Sequence, residues 1–247
     1  MNMVETPTGR PSYLQKSENR MSKLIVFDVD GTILNSQAMY DKVVLEYSRT
    51  NELPEPCLKT IRHGYGDPHA HDFGWGVSRE EQFHHMIQTM ILTDKYSMSG
   101  EAHHTPELYE GVPESLTRLK DIGHTLAIIT SKPEAPLLHL LDIHKVRHFF
   151  SAHRAHDDIA RRKEREKPQP DMLHSVMREL KFTPKDTVMI GDTTMDICMG
   201  RSAGTHTIGV TWGAHPKEHL EEAGAHHIVD TEFNDVTHVI KKIFNPA

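Results

Sequence analysis

The sequence predicts an α/β fold: a mainly parallel sheet with helices on both faces, interrupted once by an all-helical insertion. Three observations carry this. Continuous apolar runs at residues 23–27, 124–130 and 187–190 lack the alternation of a half-solvated strand and suit strands buried on both faces. Amphipathic stripes lie between such runs, as layers of helix over sheet require. From Ser36 to Glu110 no buried strand can be found.

In chain order, Leu24, Ile25, Val26 and Phe27 form the first strand. Met39, Val43, Val44 and Tyr47 share a helical face. A glycine- and aromatic-rich loop over residues 63–77 follows. Phe83, Met86, Ile87, Met90 and Ile91 sit at i, i+3, i+4, i+7 and i+8 and predict a second inserted helix. Val112, Leu116 and Leu119 predict a helix that Gly123 can end, and strand 124–130 comes next. A weaker strand is expected at 149–152. Leu173, Val176, Met177 and Leu180 form another stripe, followed by strand 187–190 and weaker strands at 207–210 and 227–229. Val236, Val239, Ile240 and Ile243 close the series. The expected division is a polar, disordered tail over residues 1–22, an α/β core over 23–35 and 111–247, and a helical module over 36–110. The tail lacks the apolar centre of a signal peptide, and Met21 is a second candidate start for translation.

At 247 residues the chain suits one α/β core plus a small module. A net charge of −7 argues against a broad nucleic-acid surface, and no apolar run reaches membrane-spanning length. Cys57 and Cys198 are the only cysteines and neither lies in a CxxC. That favours a reduced, cytoplasmic protein over a disulfide or zinc-thiolate framework. Oligomeric state is left open between monomer and homodimer.

Candidate chemistry begins where the first strand ends, at Asp28-Val29-Asp30-Gly31-Thr32. Aspartates at i and i+2 on an extended chain point to one side. One can attack a phosphorus atom while the other handles the leaving-group proton. Two acids beside a phosphate call for a divalent cation. A bare DxD is as readily a solvated turn, but the buried strand before it and Gly-Thr after it reverse those odds. A second acidic cluster, Gly191-Asp192-Thr193-Thr194-Met195-Asp196, follows another buried strand. Asp192 and Thr193 are equally suited to capping a helix there, a role compatible with metal binding. Thr130 and Ser131 stand at a strand end, where hydroxyls and amides can hold a phosphate oxygen. Lys167, beside Pro168, is placed to screen phosphate charge. Lys163 is its rival within a basic stretch.

These four motifs, in this order, resemble the haloacid dehalogenase superfamily, in the phosphoglycolate phosphatase-like branch with a helical cap after the first strand. The resemblance covers residue 23 to the C-terminus. Gly200-Arg201-Ser202-Ala203-Gly204 and Gly209-Val210-Thr211-Trp212-Gly213 match the tail end of that branch. The resemblance implies a Rossmann-like core and Mg²⁺-dependent hydrolysis of a small phosphorylated metabolite, a phosphoglycolate-like monoester or pyrophosphate, through an aspartyl-phosphate. It implies Asp28 as nucleophile and metal ligand, and Asp30 as general acid and base with a carbonyl on the metal. Asp192 is then a metal ligand, and Asp196 supports the metal or Lys167. Thr130 and Ser131 are phosphate-binding, and Lys167 neutralises charge. Asn35 departs from the family by replacing a common second acid, and the stretch from Asp157 to Lys167 is long. Arg62, His63 and Tyr65 fall where relatives carry a specificity loop, with hinges expected near residues 35–36 and 110–111.

Alternatives remain. A dehalogenase would not need Asp30. A phosphonatase needs a cap lysine, with Lys42, Lys59 and Lys95 as candidates in no recognisable context. A phosphomutase uses the same aspartates. A catalytically silent binding protein would be free to lose one of Asp28, Asp30, Lys167 and Asp192. The 20 histidines lack acidic or thiol partners at ligand spacing and read as ordinary polar positions. Phe83, Met86 and Met90 read as core of the helical module rather than as ligand-facing groups.

Overall fold

A computed structural model of the chain describes residues 22–64, 73–100 and 104–244, with the side chains of His63 and Gly64 excepted. The expected tail therefore lies outside the described residues apart from Ser22, as does Tyr65.

Six parallel strands form one sheet in the order β5-β4-β1-β6-β7-β8: β1 (Leu24–Phe27), β4 (Thr125–Ile129), β5 (Phe150–Arg154), β6 (Thr187–Gly191), β7 (His206–Val210) and β8 (His227–Val229). The central strand shows why the apolar runs do not alternate. Ile25 and Phe27 enter one core and Leu24 and Val26 the other, because successive side chains of a strand face opposite ways. Over the first face lie α4 (Val112–Asp121), α5 (Glu134–Ile143) and α10 (Phe233–Phe244), contributing Leu116, Leu140 and Val236. Over the second lie α7 (Asp171–Leu180) and α8 (Thr194–Ser202), contributing Val176 and Met199. Burying each such aliphatic side chain contributes roughly 1.5–3 kcal/mol.

The six strands agree with the sequence pattern to within two residues at their ends. Several helices have no stripe that sequence reading could isolate. In α5 the leucines crowd around the helix as Leu137, Leu138, Leu140 and Leu141. The helix α6 (His156–Arg162) is seven residues long and mostly charged. It occupies the segment whose length departs from the family pattern. A further short helix, α9 (Lys217–Glu222), precedes β8.

Between β1 and α4 stand α1 (Gln37–Thr50), α2 (Leu58–Gly64) and α3 (Arg79–Ser97). They hold a small core of their own around Val44, Ile61, Phe73, Trp75 and Met86. Phe73 and Trp75 stack at 4.7 Å, and the Trp75 indole donates to Ser48 Oγ at 2.9 Å. The start of α3 is fixed locally. The Ser78 hydroxyl accepts from the Glu81 amide while Glu81 accepts from the Ser78 amide, a reciprocal cap. A two-stranded antiparallel ribbon, β2 (Leu34–Asn35) with β3 (Glu107–Leu108), ties together the segments leading into and out of these helices.

Candidate active site

The site sits beyond the carboxyl ends of β1, β4 and β6, where open parallel sheets bind ligands. The chain leaves β1 in a tight turn. The Asp28 amide donates to the Ile190 carbonyl, the Ile33 and Leu34 amides both donate back to Val29, and Gly31 takes φ +81°. A side chain at Gly31 is excluded twice, by that backbone and by space: a Cβ there would lie 2.1 Å from Asp192 Oδ2.

Three buried carboxylates converge. One oxygen each of Asp28, Asp192 and Asp196 lie within 4.8 Å of one another. Lys167 Nζ donates to Asp28 at 2.5 Å and to Asp196 at 2.6 Å. Lys163, the rival lysine, is exposed at the end of α6. Asp192 accepts from the Thr32 hydroxyl at 2.9 Å on one oxygen and from the Ala214 amide at 2.8 Å on the other. It is wedged between Gly31 and Gly213, since a Cβ on Gly213 would also lie 2.1 Å from Oδ2. Thr193, not Asp192, caps α8. Its hydroxyl accepts from the Asp196 amide, and Asp196 Oδ2 accepts from the Thr193 amide and hydroxyl. Asp196 therefore spends one oxygen on its own helix and offers the other to Lys167.

The electrostatics follow from burial. Desolvation pushes the Asp28 carboxyl well above the usual carboxylate range, opposed by Lys167 and reinforced by Asp196 and Asp192. Burial, with Asp196 beside it, pushes Asp192 up to about 7. Burial pulls Lys167 down, but Asp196 and Asp28 outweigh it, so the ammonium is held above the ordinary lysine value. Three carboxylates facing one lysine leave excess negative charge in a dry place. The donors are hard oxygens, with no thiol or imidazole among the three, which suits Mg²⁺ better than zinc.

Asp30 lines the same cavity beside Lys132. Its Oδ2 lies 3.3 Å from Lys132 Nζ, while its buried Oδ1 has no hydrogen-bond partner among the described residues. Lys132 also reaches Asp94 of α3 at 3.0 Å. Burial pulls Lys132 down, yet Asp30 and Asp94 carry it up to about 12. Thr130 is buried, with its hydroxyl accepting from the Lys132 amide, and Ser131 is exposed. All of these line one cavity of about 330 Å³, together with Asp28, Lys167 and Asp196.

Two parts of this site lie beyond what sequence reading found. Lys132 directly follows the Thr130-Ser131 pair, but its role depends on Asp94, which sits 38 residues away in sequence. The apolar face of α3 is the other. Phe83, Met86, Ile87 and Met90 line the cavity, and Phe83 and Met90 are 47% and 38% exposed. For Phe83 and Met90 this corrects the reading as module core, while Met86 is buried in that core and Ile87 packs against it. Helical periodicity marks an apolar face without saying whether protein or ligand covers it. Arg62 pairs with Asp41 at 3.3 Å and is not among the cavity-lining residues. His63 and Tyr65 lie outside the described side chains.

The family model for haloacid dehalogenase-like hydrolases matches residues 25–210. The "probable phosphatase IndB" of Dickeya dadantii is 31% identical over 217 residues, covering 87% of this chain and 92% of that protein. The pyrophosphatase PpaX of Bacillus mycoides is 28% identical over 229 residues, covering 89% and 97%. Among solved structures, a "predicted phosphoglycolate phosphatase" from Haemophilus somnus superposes with a TM-score of 0.73 at 23% identity, covering 89% and 98%. Among the described residues no helix is long and apolar enough to cross a membrane. The match across β1 to β7, with every motif in order along the chain, shows that this chain belongs to the haloacid dehalogenase-like hydrolase family, as an enzyme of its phosphatase branch.

Proposed function

We propose that the chain is a Mg²⁺-dependent phosphatase that hydrolyses a small phosphorylated metabolite through an aspartyl-phosphate on Asp28. The observation that carries this is Asp28 itself: a buried carboxylate on the cavity floor, held by Lys167, with carboxylate oxygens of Asp192 and Asp196 close by and Asp30 in the same lining.

In the first half-reaction an Asp28 oxygen attacks phosphorus. Asp30 gives its proton to the leaving oxygen, and the unpartnered Oδ1 leaves it a free position for that transfer. Thr130 and Ser131 hold the phosphoryl oxygens, and Lys167 offsets their charge. In the second half-reaction Asp30, now a base, takes a proton from the water that attacks the aspartyl-phosphate. Asp28, the Asp30 carbonyl and Asp192 are the residues that would hold Mg²⁺, which when bound neutralises carboxylate and phosphate charge. Asp196 positions Lys167. Residues 36–110 act as a cap on the core formed by 23–35 and 111–247, with the β2–β3 ribbon at its base, and keep water from the intermediate. The free Cys57 and Cys198 support a reducing, cytoplasmic setting.

The phosphonatase reading loses support because Lys42, Lys59 and Lys95 are exposed and none lines the cavity. The relatives' names put phosphoglycolate and pyrophosphate among the first compounds to assay. The test is Mg²⁺-dependent phosphate release over a panel of phosphometabolites. Asp28→Asn is expected to lower it about 10⁴-fold or more. Release from no compound, or full activity in Asp28→Asn, overturns the reading.

A further inference from the structure

The cavity roof does not suit a compact substrate with a second acid group. A glycolate carboxylate or a second phosphate needs a cation, or several donors, opposite the transferred phosphoryl group. The helices α1 and α3 present Tyr40, Phe83, Met86, Ile87, Met90 and Thr93 there, and the one charged residue they add to the lining is Asp94. Arg62 is turned to Asp41. The single lysine on that side, Lys132, is already held between Asp30 and Asp94, with 5% of its side chain exposed. Among the described residues, five carboxylates of the lining, Asp28, Asp30, Asp94, Glu166 and Asp196, thus face two lysines and His156, whose imidazole lies within electrostatic reach of Asp94. One of the lysines, Lys167, belongs to the nucleophile.

The same roof suits a different ligand. Phe83 and Met90 line the cavity and keep apolar surface exposed, which a hydrophobic group would cover favourably at about 25 cal/mol per Å². Thioethers and a phenyl ring pack well on a flat ring. Thr93 and Asp94 beside them can take a hydrogen bond from a hydroxyl or amine. The volume of about 330 Å³ falls at the lower end of the range for small-molecule sites, roughly 300–1,000 Å³.

We infer that the substrate is a phosphate monoester of an uncharged alcohol with an apolar, ring-sized face, rather than a compact phosphate bearing a second acid group. This rests on the phosphatase reading and narrows it. Phosphorus–oxygen cleavage transfers the phosphoryl group to Asp28 while the alkoxide leaves with the Asp30 proton. Water then releases inorganic phosphate and restores both carboxyl groups.

The test compares benzyl phosphate with phosphoglycolate, both esters of primary alcohols, and with pyrophosphate. It measures kcat/KM in Mg²⁺ and, by calorimetry, binding to Asp28→Asn. The expected result is a preference for benzyl phosphate of about tenfold or more in both, equivalent to about 1.4 kcal/mol. Met90→Lys, at a position open enough to accept it, is expected to shift that ratio toward phosphoglycolate and pyrophosphate by a similar factor. Equal or better turnover and binding of either diacid by the wild-type roof overturns the inference and leaves the phosphatase reading standing. Preferential binding of benzyl phosphate with no turnover of any ester supports the inference and overturns the hydrolytic reading instead. Neither turnover nor preference overturns both.

Discussion

The floor and the roof of one cavity are built on opposite plans. On the floor, contacts join residues far apart in sequence: Lys167 to Asp28 across 139 positions and Thr32 to Asp192 across 160. Asp192 has both oxygens engaged and glycines on two sides. The roof is mostly one face of α3, a helix capped within its own first turn, with the partly exposed Phe83 and Met90 in the cavity lining. Its polar tie to the core in this cavity is Asp94 with Lys132. A fully satisfied buried network resists change, because removing any member strands a charge. An exposed apolar face tolerates it. Such a molecule can keep its phosphoryl chemistry while its choice of leaving group drifts.

That contrast can be broken by experiment. The largest effect is expected at Lys167→Met, with a loss of about 10²–10³-fold in kcat, as when one preorganised charge-stabilising donor is removed. Next comes metal. Burial raises the Asp28 and Asp192 carboxyls, so without Mg²⁺ these two groups hold more protons in the folded protein than in the unfolded chain between pH 3.8 and about 7. Their contribution to the stability of the apo protein is therefore lost as pH rises through that window. Mg²⁺ at 100 times its Kd is expected to return about 2.7 kcal/mol near pH 7. Thermal melts in chelator and in Mg²⁺, from pH 5 to pH 8, check the sign: a gap between the two midpoints that does not widen as pH rises contradicts the account.

Gly213→Ala comes third. Its Cβ would collide with Asp192, and a disturbed ligand is expected to raise the Mg²⁺ concentration for half-activity about 10–100-fold. Saturating Mg²⁺ should restore much of kcat. The smallest effect is expected on the roof. Asp94→Asn loses one partly exposed ion pair, about 1 kcal/mol or fivefold, and in KM more than in kcat. A loss at Asp94 as large as at Lys167 would show that roof and floor act as one catalytic unit.

The acids were legible because their positions are local facts. Asp28 and Asp192 each follow a run of buried residues, and the strand period alone turns Asp28 and Asp30 to one side. Lys167 could be ranked above Lys163 only by its neighbouring proline, and the structure separates them fully, one buried and one at the surface. The partners of these residues were not legible. Nothing near Asp192 in sequence foretells the Ala214 amide, nor anything near Lys132 the carboxylate of Asp94. Such pairs are set by how the sheet order brings strand ends together, which no local pattern encodes.

By itself, then, the amino-acid sequence determined the parallel sheet and the helical insertion, through apolar patterns read along the chain, and the strand-end positions of Asp28, Asp30, Asp192 and Asp196, through spacing within a dozen residues. Tertiary structure alone decided three matters. Asp196 is divided between capping α8 and holding Lys167. Lys132 is spent on Asp30 and Asp94. Phe83 and Met90 of the apolar stripe of α3 line the cavity with the acids, while Met86 also belongs to the core of the helical module. The physical reason is the same for all three: a side chain's type and period say what it can do, and only the neighbours that folding brings within a few ångströms say which of those things it does.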